Sequence, residues 1–391
     1  MFEFDPFDAA YFADPYPYYA RMRDEFPVYK HATAEQRVWP HYWMISRAAD
    51  VEAALKDWQT FSSATGTLID TDISLLPPNM FNMDPPRHDE LRAPLTRVMT
   101  PTRVAALEPH IRASVEELVD GFMDERHFDA STDFAHHIPV TTMCTLFDLP
   151  TSERAQFLKW NLDTLGGADF TSEAALGAYG EMAQYWVQIV ADRRGRTGSD
   201  LLSQIINASL EEGKDMSDEE IAGYCSLMHD AAQNTTMNTI CHSAMVLARH
   251  PDQRRALLEN PALIDGAVEE LLRFISPVQG LARSTTRDVV VAGTTIPEGD
   301  QVLILYGSAN HDPAAFADPE TFDISRKGSR AHWAFGHGIH FCLGHALAKL
   351  EIKVAVQVLC ERLGEWELDE SGVELNQLVP TRGVAHAPIS F

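Results

Sequence analysis

The stretch that most constrains the fold is residues 217–249. Ser217-Asp-Glu-Glu220 has the form of a capping box, with Ser217 covering an open backbone N–H and Glu220 reaching back to the N-cap. The helix it starts meets no proline until His250-Pro251. At 1.5 Å per residue this predicts a rod about 48 Å long, enough to cross the molecule. Its middle is unusual. Ala231-Ala-Gln-Asn-Thr-Thr236 sets two alanines and then polar groups inside a mostly apolar helix. Ala231 and Ala232 leave room beside the helix, and Thr235 is placed to bond a carbonyl one turn back. The ordinary reading of such a patch is a solvated face or a buried water.

A second stretch carries the chemistry. Residues 335–351 read FGHGIHFCLGHALAKLE. Gly336 and Gly338 permit backbone angles that a side chain forbids. They deliver Cys342 to the start of an apolar helix whose Leu343, Leu347, Leu350, Val354 and Val358 share one face. Gly344 removes a side chain where a flat group could approach. Open N–H groups and the dipole at a helix N-terminus favour thiolate. One thiolate from a turn suits an axial ligand to haem iron, and does not suit a structural zinc site of about four ligands. A lone cysteine is ordinarily structural, but F-G-x-G-x-x-x-C-x-G is far more specific than a lone cysteine. This stretch closely resembles the haem-binding loop of the cytochrome P450 family, the haem-thiolate monooxygenases.

Composition sets bounds. The chain has 391 residues, 45% of them hydrophobic, ample for a sizeable core. Length alone suggests two or three domains, yet no composition break or repeat divides it, so one domain over residues 1–391 is expected. Five scattered cysteines fit a reducing, cytoplasmic setting better than a disulfide framework. The first residues lack the basic start and apolar run of a signal peptide, and no apolar stretch of about 18 residues predicts a membrane span. A net charge of −26 disfavours nucleic acid and anionic membrane as partners.

Along the chain, residues 1–40 read as an ordered lead-in with one short helix. A strand is expected at 41–45, a helix at 46–57 capped by Ser46, and an irregular loop at 61–82. In MDPPRHDELRAPL (83–95), the Pro-Pro step starts a helix that puts His88 and Arg92 on one face, two donors able to hold a carboxylate. Helical periods follow at 104–125, 152–165, 172–194 and 200–208, with a break at 166–171 and a polar turn at 211–215. His136 and His137 have no third metal ligand at sensible spacing. In the helix at 261–274, Glu270 and Arg273 sit at i and i+3, ordinarily a surface pair worth little. Strands at 289–291 and 301–305, with a turn at Gly293, read as a small sheet, and 382–389 as a final strand pair.

From about Pro85 onward the chain follows the family's motifs in order, and the resemblance implies the rest. The fold is mainly α with a small β region, a single-domain P450 fold. Haem b lies between the long helix and the Cys342 loop. Cys342 ligates the iron, with Phe335, Gly336 and Gly344 shaping its loop. His88, Arg92, Arg283 and His340 hold the propionates. Glu270, Arg273 and Arg326 form a buried network that fixes the loop. Ala231, Ala232, Val278 and Leu281 line the substrate cavity, and Thr235 steadies oxygen and its waters. Asn234 departs from the pattern, which has an acid there. An amide does not titrate near neutral pH. Proton delivery is therefore expected through Thr235 and water, or through Asp230 or His229 one turn earlier, of which His titrates nearest neutral. The implied reaction activates dioxygen, with electrons from a ferredoxin and its reductase, and hydroxylates a small lipophilic substrate of terpenoid, steroid, polyketide or aromatic type. Arg326, Lys327 and Arg330 cluster basic charge before the loop, and with Arg326 structural, Lys327, Arg330 and Lys349 are the candidates for steering the ferredoxin. Two other readings stay open: an enzyme of the same fold that uses peroxide or performs coupling or dehydration, and a non-catalytic haem sensor.

Overall fold

The computed structural model describes residues 4–5, 8–33, 39–69, 79–165, 172–196, 198, 200–211, 216–378 and 381–391. Parts of the expected loop at 61–82, all of the break at 166–171 and most of the turn at 211–215 lie outside the described residues. The chain divides into two compact units.

The first unit comprises Met1–Asp89, Asp265–Cys342 and Val379–Arg382. It is built on a five-stranded sheet in the order Val28–Ala32, His41–Ile45, Gln301–Ile304, Leu281–Thr285, Phe61–Ser62. The sequence HYWMI explains the sheet's place. Successive side chains on a strand point to opposite faces. Trp43 and Ile45 enter one apolar cluster with Val51, Val302 and Ile304, whereas Tyr42 and Met44 enter another with Tyr19, Leu303 and Leu305. A strand covered on both faces needs the unbroken apolar run that this one has. Leu281–Thr285 runs antiparallel to Gln301–Ile304, with Arg283 opposite Val302. A separate hairpin pairs Val289–Val291 with Thr294–Ile296 around Gly293, whose φ is 81°.

The second unit comprises Glu90–Ile264, Leu343–Leu378 and Gly383–Phe391, and is mainly helical. Its axis is the Asp218–Arg249 helix of 32 residues, and the capping box is formed. Ser217 Oγ accepts from Glu220 N at 3.2 Å and Glu220 Oε2 accepts from Ser217 N at 3.0 Å. From Thr236 to Leu247 every residue of this helix is buried, so it is enclosed on all sides. Helices Glu173–Arg193, His137–Leu146 and His345–Leu363 pack against it. The terminal strand Pro388–Ser390 pairs with both His127–Asp129 and Glu367–Leu368. Among the described residues no helix is long and apolar enough to cross a membrane.

Several local expectations are corrected. The lead-in holds two helices, Ala9–Ala13 and Tyr16–Glu25, and a strand, Val28–Ala32. The helical period at 104–125 is broken into Pro101–Ala105 and Glu108–Phe122, with Pro109 in the first turn of the second helix, where a missing N–H costs nothing. Ser46 does not cap the next helix: its hydroxyl donates to Pro27 O at 3.2 Å. The Ala48–Lys56 helix is capped by a distant residue, Asp312, whose carboxylate accepts from Ala48 N at 2.8 Å.

Candidate active site

The cysteine loop is held from its backbone outward. Gly336 and Gly338 take φ of 66° and 71°, where a side chain is strained. A Cβ on Gly338 would also run into the Leu55 carbonyl oxygen. Cys342 N donates to Phe335 O at 3.0 Å, closing the turn. The following helix, His345–Leu363, takes Gly344 as its N-cap, so Cys342 stands two residues ahead of the cap.

Burial separates Cys342 from the other four cysteines. Cys144, Cys225, Cys241 and Cys360 are buried, whereas Cys342 is only half-buried. Burial pushes the Cys144 thiol up to about 11 and the Cys360 thiol to about 12, and raises Cys225 and Cys241 as well. Those four are held as neutral thiols, which are poor metal ligands.

The predicted salt-bridge trio is formed and buried. Arg273 grips Glu270 bidentately, Nε to Oε2 at 2.8 Å and Nη2 to Oε1 at 2.9 Å, and neither side chain is exposed. Arg326 Nε adds a third bond to Glu270 Oε1 at 3.0 Å, and Asp323 N a fourth at 3.1 Å. The remaining arginine donors reach carbonyls, Arg273 those of Asn310 and Pro319, Arg326 those of Asp318 and Thr321. Such a group is satisfied in full, the condition under which buried charge is tolerated.

Sequence reasoning missed a second brace beside it. Glu269, next to Glu270, bonds His332 at 3.2 Å and lies 3.7 Å from Arg330. Asn310, wholly buried, accepts from Trp333 N at 2.7 Å and donates to Ser276 Oγ at 2.8 Å. His332, Trp333 and Ala334 thereby lead rigidly into Phe335. The only sequence signal was the acidic pair Glu269-Glu270. Arg326 and Arg330 are thus engaged by Glu270 and Glu269, whereas Lys327 is exposed.

The candidate anion-binding residues are placed as follows. His88 and Arg92 both stand on the Arg87–Val98 helix. His88 is 1% exposed; its Nδ1 lies 2.8 Å from Asp89, and its Nε2 has no partner among the described residues. The His88 and His340 rings meet edge-on at 4.5 Å, and His340 Nε2 bonds Ser63 Oγ at 3.1 Å. Arg283 is 4% exposed, donates to Ala282 O at 2.6 Å and bonds Tyr306, with no carboxylate partner among the described residues. A buried guanidinium without a carboxylate and a buried imidazole nitrogen without an acceptor fit the acid groups of a haem. Val278 and Leu281 are partly buried at the margin of the sheet's apolar cluster.

In the long helix, Thr235 Oγ1 donates to Ala231 O at 2.8 Å, the expected bond one turn back. Thr239 repeats it onto Thr235 O at 2.7 Å. Ala231 is exposed, and Ala232 and Thr235 are half-buried. Asn234 is buried and turned away. Its Oδ1 accepts from Asn238 Nδ2, and Asn238 Oδ1 accepts in turn from Val384 N at 3.1 Å. The order of the two neighbouring titratable groups is the reverse of that expected. Burial pushes the His229 ring down to about 3 and the Asp230 carboxyl up to about 8, so Asp230 is the group that titrates near neutral pH.

Comparison with known proteins agrees with this geometry. The family model for cytochrome P450 matches residues 178–385. The monooxygenase PikC of Streptomyces venezuelae is 36% identical over 97% of this chain and 91% of its own length. A vitamin D(3) 25-hydroxylase of Pseudonocardia autotrophica is 35% identical over 99% of this chain and 96% of its own. Among solved structures, the bacillaene polyketide synthase P450 PksS of Bacillus subtilis 168 superposes with a TM-score of 0.91 at 31% identity, covering 99% of each chain. P450BioI, solved with an acyl carrier protein bearing hexadec-9Z-enoic acid, gives 0.87 at 30% identity over 98% of this chain and 100% of its own. The fold and the relatives define a haem-dependent oxidoreductase. The chain belongs to the cytochrome P450 family and is a monooxygenase.

Proposed function

We propose that this chain is a ferredoxin-dependent, cytoplasmic haem b monooxygenase, acting as one domain over residues 1–391, that hydroxylates a small lipophilic substrate. One observation carries the reading. Of five cysteines, the one left half-buried is the one set in a glycine-shaped turn braced by buried ion pairs. Bound haem supplies dioxygen activation, and a thiolate ligand favours O–O cleavage. Cys342 would ligate the iron, and His88, Arg92, Arg283 and His340 would donate to the propionates. The relative named as a vitamin D(3) hydroxylase and the one solved with a fatty acyl chain support a lipophilic substrate.

Proton supply rests on this chain's own residues. The Thr235 hydroxyl spends its hydrogen on Ala231 O, which leaves its lone pairs to accept from a water. Asn234, committed to Asn238, orders the helix and carries no proton. The test is turnover with ferredoxin, its reductase and reduced nicotinamide, using a compound that shifts the Soret band. Product per nicotinamide should fall and peroxide should rise in Thr235→Ala. Turnover that needs no electron donor, and runs on peroxide alone, would favour the peroxide-using alternative.

A further inference from the structure

Unpartnered polar atoms gather in one part of the second unit. Among the described residues, helices Arg154–Leu165, Glu173–Arg193 and Asp218–Arg249 carry covered and unpartnered atoms on Arg154, Asn161, Tyr185, Trp186, His229, Asp230 and Gln233, and Arg154 exerts no effect on Asp230. A region meant only for hydrocarbon has no use for such groups, because each costs free energy until something bonds it.

Asp230 is the acidic member, and a cation beside it would favour its charged form. It is half-buried, and its Oδ1 is covered and unpartnered. No nearby cation answers it. His229 is wholly buried against Phe157, its ring 5.2 Å away, and stays neutral. Lys159 is bound to Asp163, Arg193 to Asp200 and Arg194 to Asp218. Across from it, Tyr179 on the Glu173–Arg193 helix feels the Asp230 charge. Burial alone raises the Asp230 carboxyl, with nothing opposing it.

Position adds the second half. Leu227, Asp230, Ala231 and Thr235 fall at i, i+3, i+4 and i+8, one side of the helix. All four are at least partly exposed, whereas Gln233, Asn234, Thr236 and Met237 are buried. Asp230 therefore shares an open, otherwise small and apolar face with Thr235, about 7.5 Å further along the axis. A lone acid on such a wall selects a ligand that brings its own positive charge.

We propose that Asp230 anchors the protonated nitrogen of an amine-bearing substrate, whose apolar body lies along Leu227, Ala231 and Thr235. The inference rests on the monooxygenase reading and narrows its substrate class from lipophilic compounds in general to lipophilic amines. The nitrogen, held at one end of this face, leaves a carbon of the apolar body beside Thr235.

The experiment titrates haem-loaded protein by calorimetry with N,N-dimethyl-4-phenylbutylamine and with its neutral counterpart, N,N-dimethyl-4-phenylbutanamide. The amine should bind at least about tenfold tighter. Asp230→Asn should bring the two within about threefold, and Asp230→Glu should restore the preference, which separates loss of charge from misfolding. Equal affinities in the parent overturn the proposal. So does a preference that survives in Asp230→Asn, including one that arises from nitrogen ligation to iron and shows as a red-shifted Soret band. So too does an Asp230→Asn that alters product per nicotinamide yet keeps the preference, since Asp230 would then be a proton carrier. The carbon-monoxide spectrum of the parent reports separately on the monooxygenase reading, and calorimetry decides the anchor whichever way that spectrum falls.

Discussion

Glu270 and Asp230 are both acids with a carboxylate oxygen shut away from water, and their surroundings are opposite. Glu270 receives four hydrogen bonds, two from Arg273, one from Arg326 and one from Asp323 N. Asp230 Oδ1 receives none among the described residues, and its neighbour His229 has both ring nitrogens unpartnered. The Glu270 network completes its polar groups within the chain, and the segment it braces is held by them. The middle of the long helix has left groups to be completed from outside. A fixed loop and an open helix face are different demands, and the two regions meet them with the same residue types.

The comparison is broken most forcefully from the satisfied side. Arg273→Ala removes two of the four bonds to Glu270 and leaves its Oε2 without the Arg273 donor, and removing one partner of a buried pair costs about 3–5 kcal/mol. Chemical denaturation of the haem-loaded protein should show a loss of that size, together with poor haem retention. A loss below about 1 kcal/mol would mean that water reaches Glu270.

The unsatisfied side gives a pH effect. Glu351, on the His345–Leu363 helix, is 1% exposed with Oε1 unpartnered, and burial raises its carboxyl to about 8, only partly opposed by Thr142. Between about pH 4.5 and 8 the folded protein holds a proton that the unfolded chain has released. Its contribution is therefore full below pH 4.5 and is lost as pH rises to 8, by roughly 2–4 kcal/mol. His229 has the opposite sign: its lowered pKa costs stability as pH falls below about 6.5. Glu351→Gln should remove most of the alkaline loss when parent and variant are denatured at pH 5 and pH 9. A parent–variant difference that is the same at both pH values would show that Glu351 is ionised in the fold.

The smallest effect sharpens the contrast within one residue type. The Tyr224 hydroxyl donates to Leu91 O at 2.6 Å, whereas the buried Tyr185 hydroxyl has no partner among the described residues. Tyr224→Phe should cost about 1 kcal/mol, and Tyr185→Phe should cost nothing or stabilise slightly. Equal costs in thermal unfolding would mean that Tyr185 is bonded through water.

Features set by local pattern were legible in the sequence. The capping box and the strand HYWMI each appear in the fold as their residues suggest, and the Glu270–Arg273 pair forms at its i, i+3 spacing but buried, as only the family resemblance implied. What the sequence concealed depends on residues far apart. Asp312 caps a helix 264 positions away, and Asn310 braces the entrance to the cysteine loop from outside any motif. Asn234 looked like a substituted acid, but its amide is committed to Asn238 and through it to the strand at Val384. His229 and Asp230 exchanged roles for a similar reason. Reference pKa values favour the histidine, and burial, which no single sequence displays, moves the two groups past each other.

The central claim, that the half-buried cysteine of the glycine turn is the metal ligand, is tested most directly by the reduced carbon-monoxide spectrum of Cys342→Ser. The parent should show the thiolate-type band. The variant should keep its helical circular dichroism and lose that band, because Cys144, Cys225, Cys241 and Cys360 are sealed in the interior as neutral thiols. A thiolate-type band that survives in Cys342→Ser would assign the iron to one of those four and contradict the account.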